Sequence, residues 1–309
     1  MEFSQLKKTD MKISKVGIGT NKVGGHNYFK NLDEQQGKDF VKEAIRLGVN
    51  FIDTADVYGL GRSEELVGEV LKSPYVKRED LIVATKGARD WNADRTSNKP
   101  EYLRSALEAS LKRLDLDYVD LYYLHFPDGE TPLSESVGEL SRLKEEGKIR
   151  AIGVSNLDID QLKEADENGD ISALQSGYNM FDRSVEKDVL PYCAEHNISF
   201  IPYFPLASGL LTGKYTANTD FPEGDPRRER FQDEESMEKF QKVKKLKRLA
   251  DTKNIATSHL ALAWLLEQKG VDAVIPGGRN AEQARNNVKA GEVKLSSADL
   301  DEMNAILLG

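Results

Sequence analysis

A carboxylate, a phenol, an ammonium and an imidazole stand at successive points in the first half of the chain: Asp53, Tyr58, Lys86 and His125. Each ends or follows an apolar β-like run. Asn50-Phe-Ile-Asp53 precedes the first pair, Leu81-Ile-Val-Ala-Thr85 precedes Lys86, and residues 118–124 precede His125. Taken singly, each has a plain structural use. Asp53 can cap a turn, Tyr58 can anchor a loop by its ring, Lys86 can be a solvated charge, and His125 a satisfied core histidine. Four separate structural needs do not explain four polar groups at consecutive strand ends. A phenol has an unperturbed pKa of about 10, too high for efficient proton donation near neutrality. A neighbouring ammonium lowers that value, and a carboxylate beside the ammonium keeps it charged and oriented. An imidazole can hydrogen-bond a carbonyl oxygen. The set suits protonation of an oxyanion as it forms on a carbonyl carbon, and it lacks only a hydride donor.

Later positions offer a cradle for such a donor. Ser155, Asn156 and Gln175 carry hydroxyl and amide groups able to hold a carboxamide. Tyr203 offers a flat face for stacking. Ile275-Pro-Gly-Gly-Arg-Asn280 opens a helix. There Gly277 and Gly278 permit close backbone approach, the helix N-terminus favours phosphate, and Arg279 adds a forked cation. A simple Pro-Gly turn with a surface arginine explains that segment equally well. Aromatic candidates for a substrate pocket are Tyr28, Trp91 and Phe126, beside His125. Trp91 lies in a polar loop, and a ring folded back on the surface is the alternative to a pocket wall.

The elements that must position these groups are written in regular punctuation. A hairpin is predicted over residues 3–14. β-like runs then fall at 16–19, 50–53, 81–85, 118–124, 149–154, 173–178, 199–204 and 271–275. Helical patterns fall at 34–47, 63–71, 101–114, 134–146, 159–165, 186–196, 236–252, 258–268 and 281–290, with a last one from about 296. Gly48 ends the first helix, and Leu103, Leu107, Leu111 and Leu114 share a face of the third. Residues 205–233 are irregular. Eight β–α units predict a closed (β/α)8 TIM barrel with an N-terminal β-hairpin and extra helices, as one domain over residues 1–309. An open doubly wound sheet would want a glycine fingerprint after its first strand, and Gly17-Ile-Gly19-Thr-Asn-Lys22 lacks the third glycine. Gly209 to Lys214 has the wrong glycine spacing for a phosphate loop.

Composition narrows the classes of function. The 309 residues are 39% hydrophobic and 31% charged, with a formal charge of −9, which argues against nucleic acid or an anionic membrane as the main partner. Cys193 is the only cysteine, so no intramolecular disulfide forms and a reduced compartment fits. Residues 1–10 have no apolar run of a secretory signal, and the longest apolar run, 260–266, is far short of a membrane span. A cytoplasmic location is expected. The four histidines form no HxH or HExxH, so no multi-histidine metal site is expected.

Gly48-Val-Asn-Phe-Ile-Asp-Thr-Ala-Asp-Val-Tyr-Gly59 resembles the signature of the aldo-keto reductases. So do Ala84-Thr-Lys-Gly87, residues 120–125, Gly147-Lys-Ile-Arg-Ala-Ile-Gly-Val-Ser-Asn156 and Ile275-Pro-Gly277. Within that family, residues 19–26, 124–128 and 203–215 look most like the bacterial inositol-operon (IolS-like) reductases. The resemblance implies an NADPH-dependent carbonyl reductase. Tyr58 would be the proton donor, Lys86 would lower its pKa, Asp53 would hold Lys86, and His125 would orient the carbonyl. Gly19, Thr20, Asn21 and Asp53 would lie along the NADP(H). Ser155, Asn156 and Gln175 would hold its carboxamide, with Tyr203 stacked on the ring. Leu206, Ser208 and Lys214 would lie along the pyrophosphate, and Phe204, Pro205 and Ala207 would also contact the cofactor. Gly277, Gly278, Arg279, Gln283, Asn286 and Asn287 would take the adenosine end, with Arg279 at the 2′-phosphate. Asn286 stands where relatives often have a glutamate. A different class of function stays open, a cofactor-sensing interaction protein like the channel subunits built on the same barrel. A small carbonyl compound would be the substrate.

Overall fold

Strands that are apolar at successive positions need cover on both faces, and parallel sheets provide it with helices. The computed structural model describes residues 1–91, 93–216, 218–221, 228, 231 and 233–308. An antiparallel hairpin opens the chain, β1 (Phe3–Gln5) and β2 (Lys12–Ser14), in the register Phe3 opposite Ser14. Then β3 (Ile18–Gly19), α1 (Glu34–Arg46), β4 (Phe51–Asp53), α2 (Arg62–Leu71) and β5 (Ile82–Gly87) alternate as expected. A small hairpin follows, β6 (Arg89–Asp90) with β7 (Arg95–Thr96). After it come α3 (Pro100–Leu114), β8 (Val119–Leu124), α4 (Leu133–Glu145), β9 (Ile149–Ser155), α5 (Ile159–Ala165), β10 (Ile171–Gln175), α6 (Val189–Glu195) and β11 (Ser199–Phe200). The chain ends in α7 (Glu234–Thr252), α8 (Thr257–Leu266), α9 (Ala281–Val288) and α10 (Ser297–Leu308).

Seven strands form one parallel sheet in the order β3-β4-β5-β8-β9-β10-β11. The eighth staves the gap without a continuous strand. Parallel bridges join Phe200 to Val271, Val16 to Val274 and Gly19 to Gly277, so residues 271–277 close the barrel between β11 and β3. Pro276 has no N–H to donate, which interrupts a ladder there. The expected strand at 271–275 is therefore present as a path, not as a regular strand. The one expected at 199–204 is regular only over β11. The β6–β7 hairpin was not expected, and part of the irregular stretch 205–233 lies outside the described residues.

Two apolar layers hold this arrangement. The barrel interior is filled by Phe51, Ile82, Ala84, Leu121, Tyr123, Ala151, Ala173, Ile201, Ala273 and Ile275, and the hairpin adds Leu6, Met11 and Ile13 to the same cluster. The hairpin is thus a plug, with Leu6 and Ile13 fully buried. The outer layer packs the other strand faces under the helices. Gly153 on β9 makes room inside the barrel: a Cβ there would stand 2.3 Å from the Tyr123 ring. Helix ends follow local rules. Asp33 caps α1 by accepting from Gln36 N–H, and Gly48, at φ +87°, turns the chain out after it.

Candidate active site

The strand ends bring the expected groups together. Asp53 is the last residue of β4, Lys86 the next to last of β5, and His125 follows β8. Lys86 is fully buried, and its Nζ donates to Asp53 Oδ1 at 2.5 Å and to the Thr54 carbonyl at 2.8 Å. Asp53 Oδ2 accepts from Gln175 Nε2 at 2.9 Å, so a side chain from β10 reaches across the barrel to complete the pair. Above it, the half-buried Tyr58 ring lies 5.3 Å from Lys86 Nζ. The His125 ring meets Tyr58 edge-on, with centroids 6.4 Å apart. A carboxylate and an ammonium beneath, with a phenol and an imidazole at the open end, form one continuous unit.

The protonation states follow from burial. Desolvation and then the Lys86 charge hold the His125 imidazole well below its ordinary range, so it is neutral near pH 7. Its buried Nδ1 has no hydrogen-bond partner among the described residues. An unpaired lone pair there costs less than an unpaired N–H, which places the ring hydrogen on Nε2. Burial lowers the Lys86 ammonium, opposed by Asp53. Burial pushes the Tyr58 phenol well above its ordinary value, and the Asp53 charge pushes the same way. Lost hydration and the Asp53 charge set that net direction, which the expected effect of Lys86 opposes. Asp53 sits on the ammonium and offsets its field, while the phenol has lost water. Tyr58 is thereby fully protonated across neutral pH.

The cofactor candidates divide. Asn156, in the left-handed region at φ +59°, donates from Nδ2 to the His125 carbonyl and to Ser155 Oγ, both at 2.9 Å. Its Oδ1 accepts from the Tyr203 hydroxyl at 2.8 Å, and Ser155 Oγ donates to the Gln175 carbonyl. These four residues form a polar arc joined to the catalytic side. Phe204, Ala207, Ser208 and Gly209 all have positive φ, which makes the turn after Pro205 sharply folded; Leu206 lies within it, and Lys214 beyond it is exposed. Asn21 Oδ1 lies close to Gly277, across the seam between β3 and the closing segment. Arg279 is exposed and has no ion-pair partner among the described residues.

Other candidates have internal partners. Thr20 Oγ1 is buried against the Asp53 carbonyl and Ser63 Oγ. Gln283 Oε1 accepts from the Arg279 N–H at 2.7 Å. Asn286 Oδ1 faces His259 Nε2 at 3.2 Å, which draws Asn286 toward α8. Asn287 is buried and reaches the Gly277 carbonyl. Gly278 has a packing reason for being glycine, since a Cβ would stand 2.3 Å from the Phe40 ring.

Of the pocket aromatics, Tyr28 meets Tyr58 edge-on at 6.4 Å, and Phe126 stacks on His125 at 4.2 Å. Both are exposed, so they rim the mouth above the phenol and imidazole. Trp91 instead lies over the Arg113 guanidinium, 5.6 Å from it, which agrees with the folded-back alternative. Sequence reasoning missed Asp56 and Glu64. Asp56 stands within the signature and Glu64 just after it, both are carboxyl residues, and their burial has no mark in the spacing.

The sequence profile of the aldo/keto reductase family matches residues 15–308. The aldo-keto reductase YhdN of Bacillus subtilis is 37% identical, over 99% of this chain and 94% of its own length. An NADH-specific methylglyoxal reductase of Escherichia coli is also 37% identical, over 97% and 96%. The glycerol dehydrogenase AKR11B4 from Gluconobacter oxydans superposes with a TM-score of 0.89 at 32% identity, covering 99% of this chain and 94% of that one.

Proposed function

Since this chain belongs to the aldo/keto reductase family and is a carbonyl-reducing oxidoreductase using a nicotinamide cofactor, we propose that it takes hydride from NADPH and that Tyr58 donates the proton. The observation that carries the assignment is the buried Lys86–Asp53 pair directly beneath Tyr58 and His125, joined through Gln175 and Asn156 to the polar arc. A carbonyl oxygen between the Tyr58 hydroxyl and His125 Nε2 receives two hydrogen bonds from neutral donors. Charge that develops on that oxygen is met by the Tyr58 proton, with the Lys86 ammonium below stabilising the phenolate left behind. His125 orients the carbonyl and stays neutral. Asp53 and Gln175 hold Lys86 in place.

The bound nicotinamide would supply hydride to the carbonyl carbon. Asn156, Ser155 and Gln175 fit its carboxamide, and Tyr203 its ring face. Asn21 and Gly277 fit the seam, the turn 204–208 fits the pyrophosphate, and Arg279 fits a 2′-phosphate. The Escherichia coli relative is named for NADH, so NADPH rests here on Arg279, whose forked donors are not matched by any acidic side chain among the described residues. The substrate would be a small carbonyl compound entering past Tyr28 and Phe126. We place the protein in the cytoplasm as one domain over residues 1–309, beside the inositol-operon reductases. Among the described residues no helix is long and apolar enough to cross a membrane. Nothing in the site or the relatives favours the interaction-protein reading.

The test is oxidation of NADPH, and separately of NADH, with a panel of small and bulky aldehydes. Turnover with NADPH above that with NADH is expected. Tight NADPH binding without turnover of any aldehyde would overturn the proposal and favour the interaction reading.

A further inference from the structure

Behind the Lys86–Asp53 pair lies a second set of buried charges for which the reduction as proposed has no use. Glu64, on α2, is fully buried and fully matched. Its Oε1 accepts from Thr85 Oγ1 at 2.5 Å and its Oε2 from Arg113 Nε at 2.6 Å. Asp56 is matched poorly. It is 2% exposed, and its N–H donates to the Lys86 carbonyl at 3.2 Å. Its carboxyl Oδ1 is buried with no hydrogen-bond partner among the described residues.

Two cations, Lys86 and Arg113, therefore face three carboxyls, Asp53, Glu64 and Asp56, and each cation is already engaged at short range by another carboxylate. An ionised Asp56 would be a third anion with a dry, unpaired oxygen, and such a charge is much more costly to bury than a neutral acid. The groups around it are Glu64 from α2, Arg113 and Tyr102 from α3, Lys86 from β5, Tyr122 from β8, and Tyr58 and Tyr28 from the rim. Burial and then Glu64 push the Asp56 carboxyl well above its ordinary value, against Arg113, a hydrogen bond from the Val57 backbone N–H, and Lys86.

We infer that Asp56 is a positioning residue for the reduction: as a neutral carboxylic acid it leaves Lys86 with Asp53 as its one close counter-charge, and once ionised it becomes a second anion near Lys86 that makes Tyr58 a poorer acid. This rests on Tyr58 being the proton donor. Rising pH thus weakens the reaction through Asp56 before Tyr58 itself titrates.

Two readouts test it. Infrared spectra of the wild-type protein at neutral pH should contain a buried carboxylic-acid band that is missing in Asp56→Asn and that fades as the alkaline limb of the kcat profile begins. In Asp56→Asn that limb should move to higher pH by on the order of one unit, the size of shift a nearby charge commonly imposes. In Glu64→Gln the repelling carboxylate is gone and Arg113 is released, so Asp56 ionises more readily and the limb should move to lower pH. Glu64→Gln and the wild-type spectrum carry the test if Asp56→Asn does not fold. Absence of the band, or a limb that stays in place in either variant, overturns the inference. The band is read without turnover, so its absence counts against Asp56 even if Tyr58 is the donor. A band accompanied by full turnover in Tyr58→Phe would overturn the donor assignment first, and with it the link to Asp56.

Discussion

Burial beside Lys86 keeps the His125 imidazole neutral, so folding in mild acid must displace a proton that the unfolded chain holds. The sign is fixed by the depressed folded value. Above about pH 6.5 neither state carries the proton and the group costs nothing. As pH falls from there toward the folded value, the unfolded chain binds more protons, and stability drops by at most about 1.4 kcal/mol per pH unit. His125→Asn lacks that contribution, so its melting temperature should fall less than that of the wild type between pH 7 and pH 5. Equal falls would mean that the imidazole is not held neutral. At this scale the residue types were legible, because Asp53, Lys86 and His125 each end or follow a strand and Tyr58 stands in the loop after β4. The direction of the Tyr58 shift was not. Spacing places Lys86 near the phenol but does not say that Asp53 takes one face of the ammonium at 2.5 Å, or that the phenol is dry.

Elements decide how the cofactor end is presented. Asn280 caps α9 by accepting from Gln283 N–H at 3.0 Å, and Gln283 Oε1 takes the Arg279 N–H. The first turn is thus closed by its own side chains, and the Arg279 guanidinium is left exposed at the helix N-terminus, where a phosphate is favoured. A hydrogen bond to a charged group contributes on the order of 1.5–3 kcal/mol. Arg279→Ala should therefore weaken NADPH binding roughly 10- to 100-fold and leave NADH binding nearly unchanged, as read by fluorescence titration of each. Equal losses for the two cofactors would mean that Arg279 serves the shared part of the molecule. Helices with a cap and a periodic face were readable in the sequence to within a residue or two, α1 and α5 among them. The closing segment was less so. Residues 271–275 read as a strand by composition, but only bridges form along 271–277, and Pro276 just beyond cannot donate to a ladder. The β6–β7 hairpin, two residues a side, is too short to leave a period in the sequence.

Over the whole molecule, the barrel works by dividing its two ends. The N-terminal hairpin plugs one with Leu6, Met11 and Ile13, so the interior is a packed core and not a channel. The proposed chemistry is left to the opposite end, where β4, β5, β8, β9 and β10 deliver Asp53, Lys86, His125, Ser155 and Gln175 within one connected set of hydrogen bonds and ring contacts. The eightfold alternation of strand and helix was legible because both faces of a parallel strand must be apolar. That the hairpin would enter the barrel was not, since each of its strands is only three residues long. Whether this end reduces a carbonyl with Tyr58 as proton donor is decided by single-turnover hydride transfer from NADPH to an aldehyde, measured for wild type and Tyr58→Phe. A rate lower by about 10²–10⁴ is expected in the variant, with NADPH affinity kept; an unchanged single-turnover rate would rule Tyr58 out as the donor.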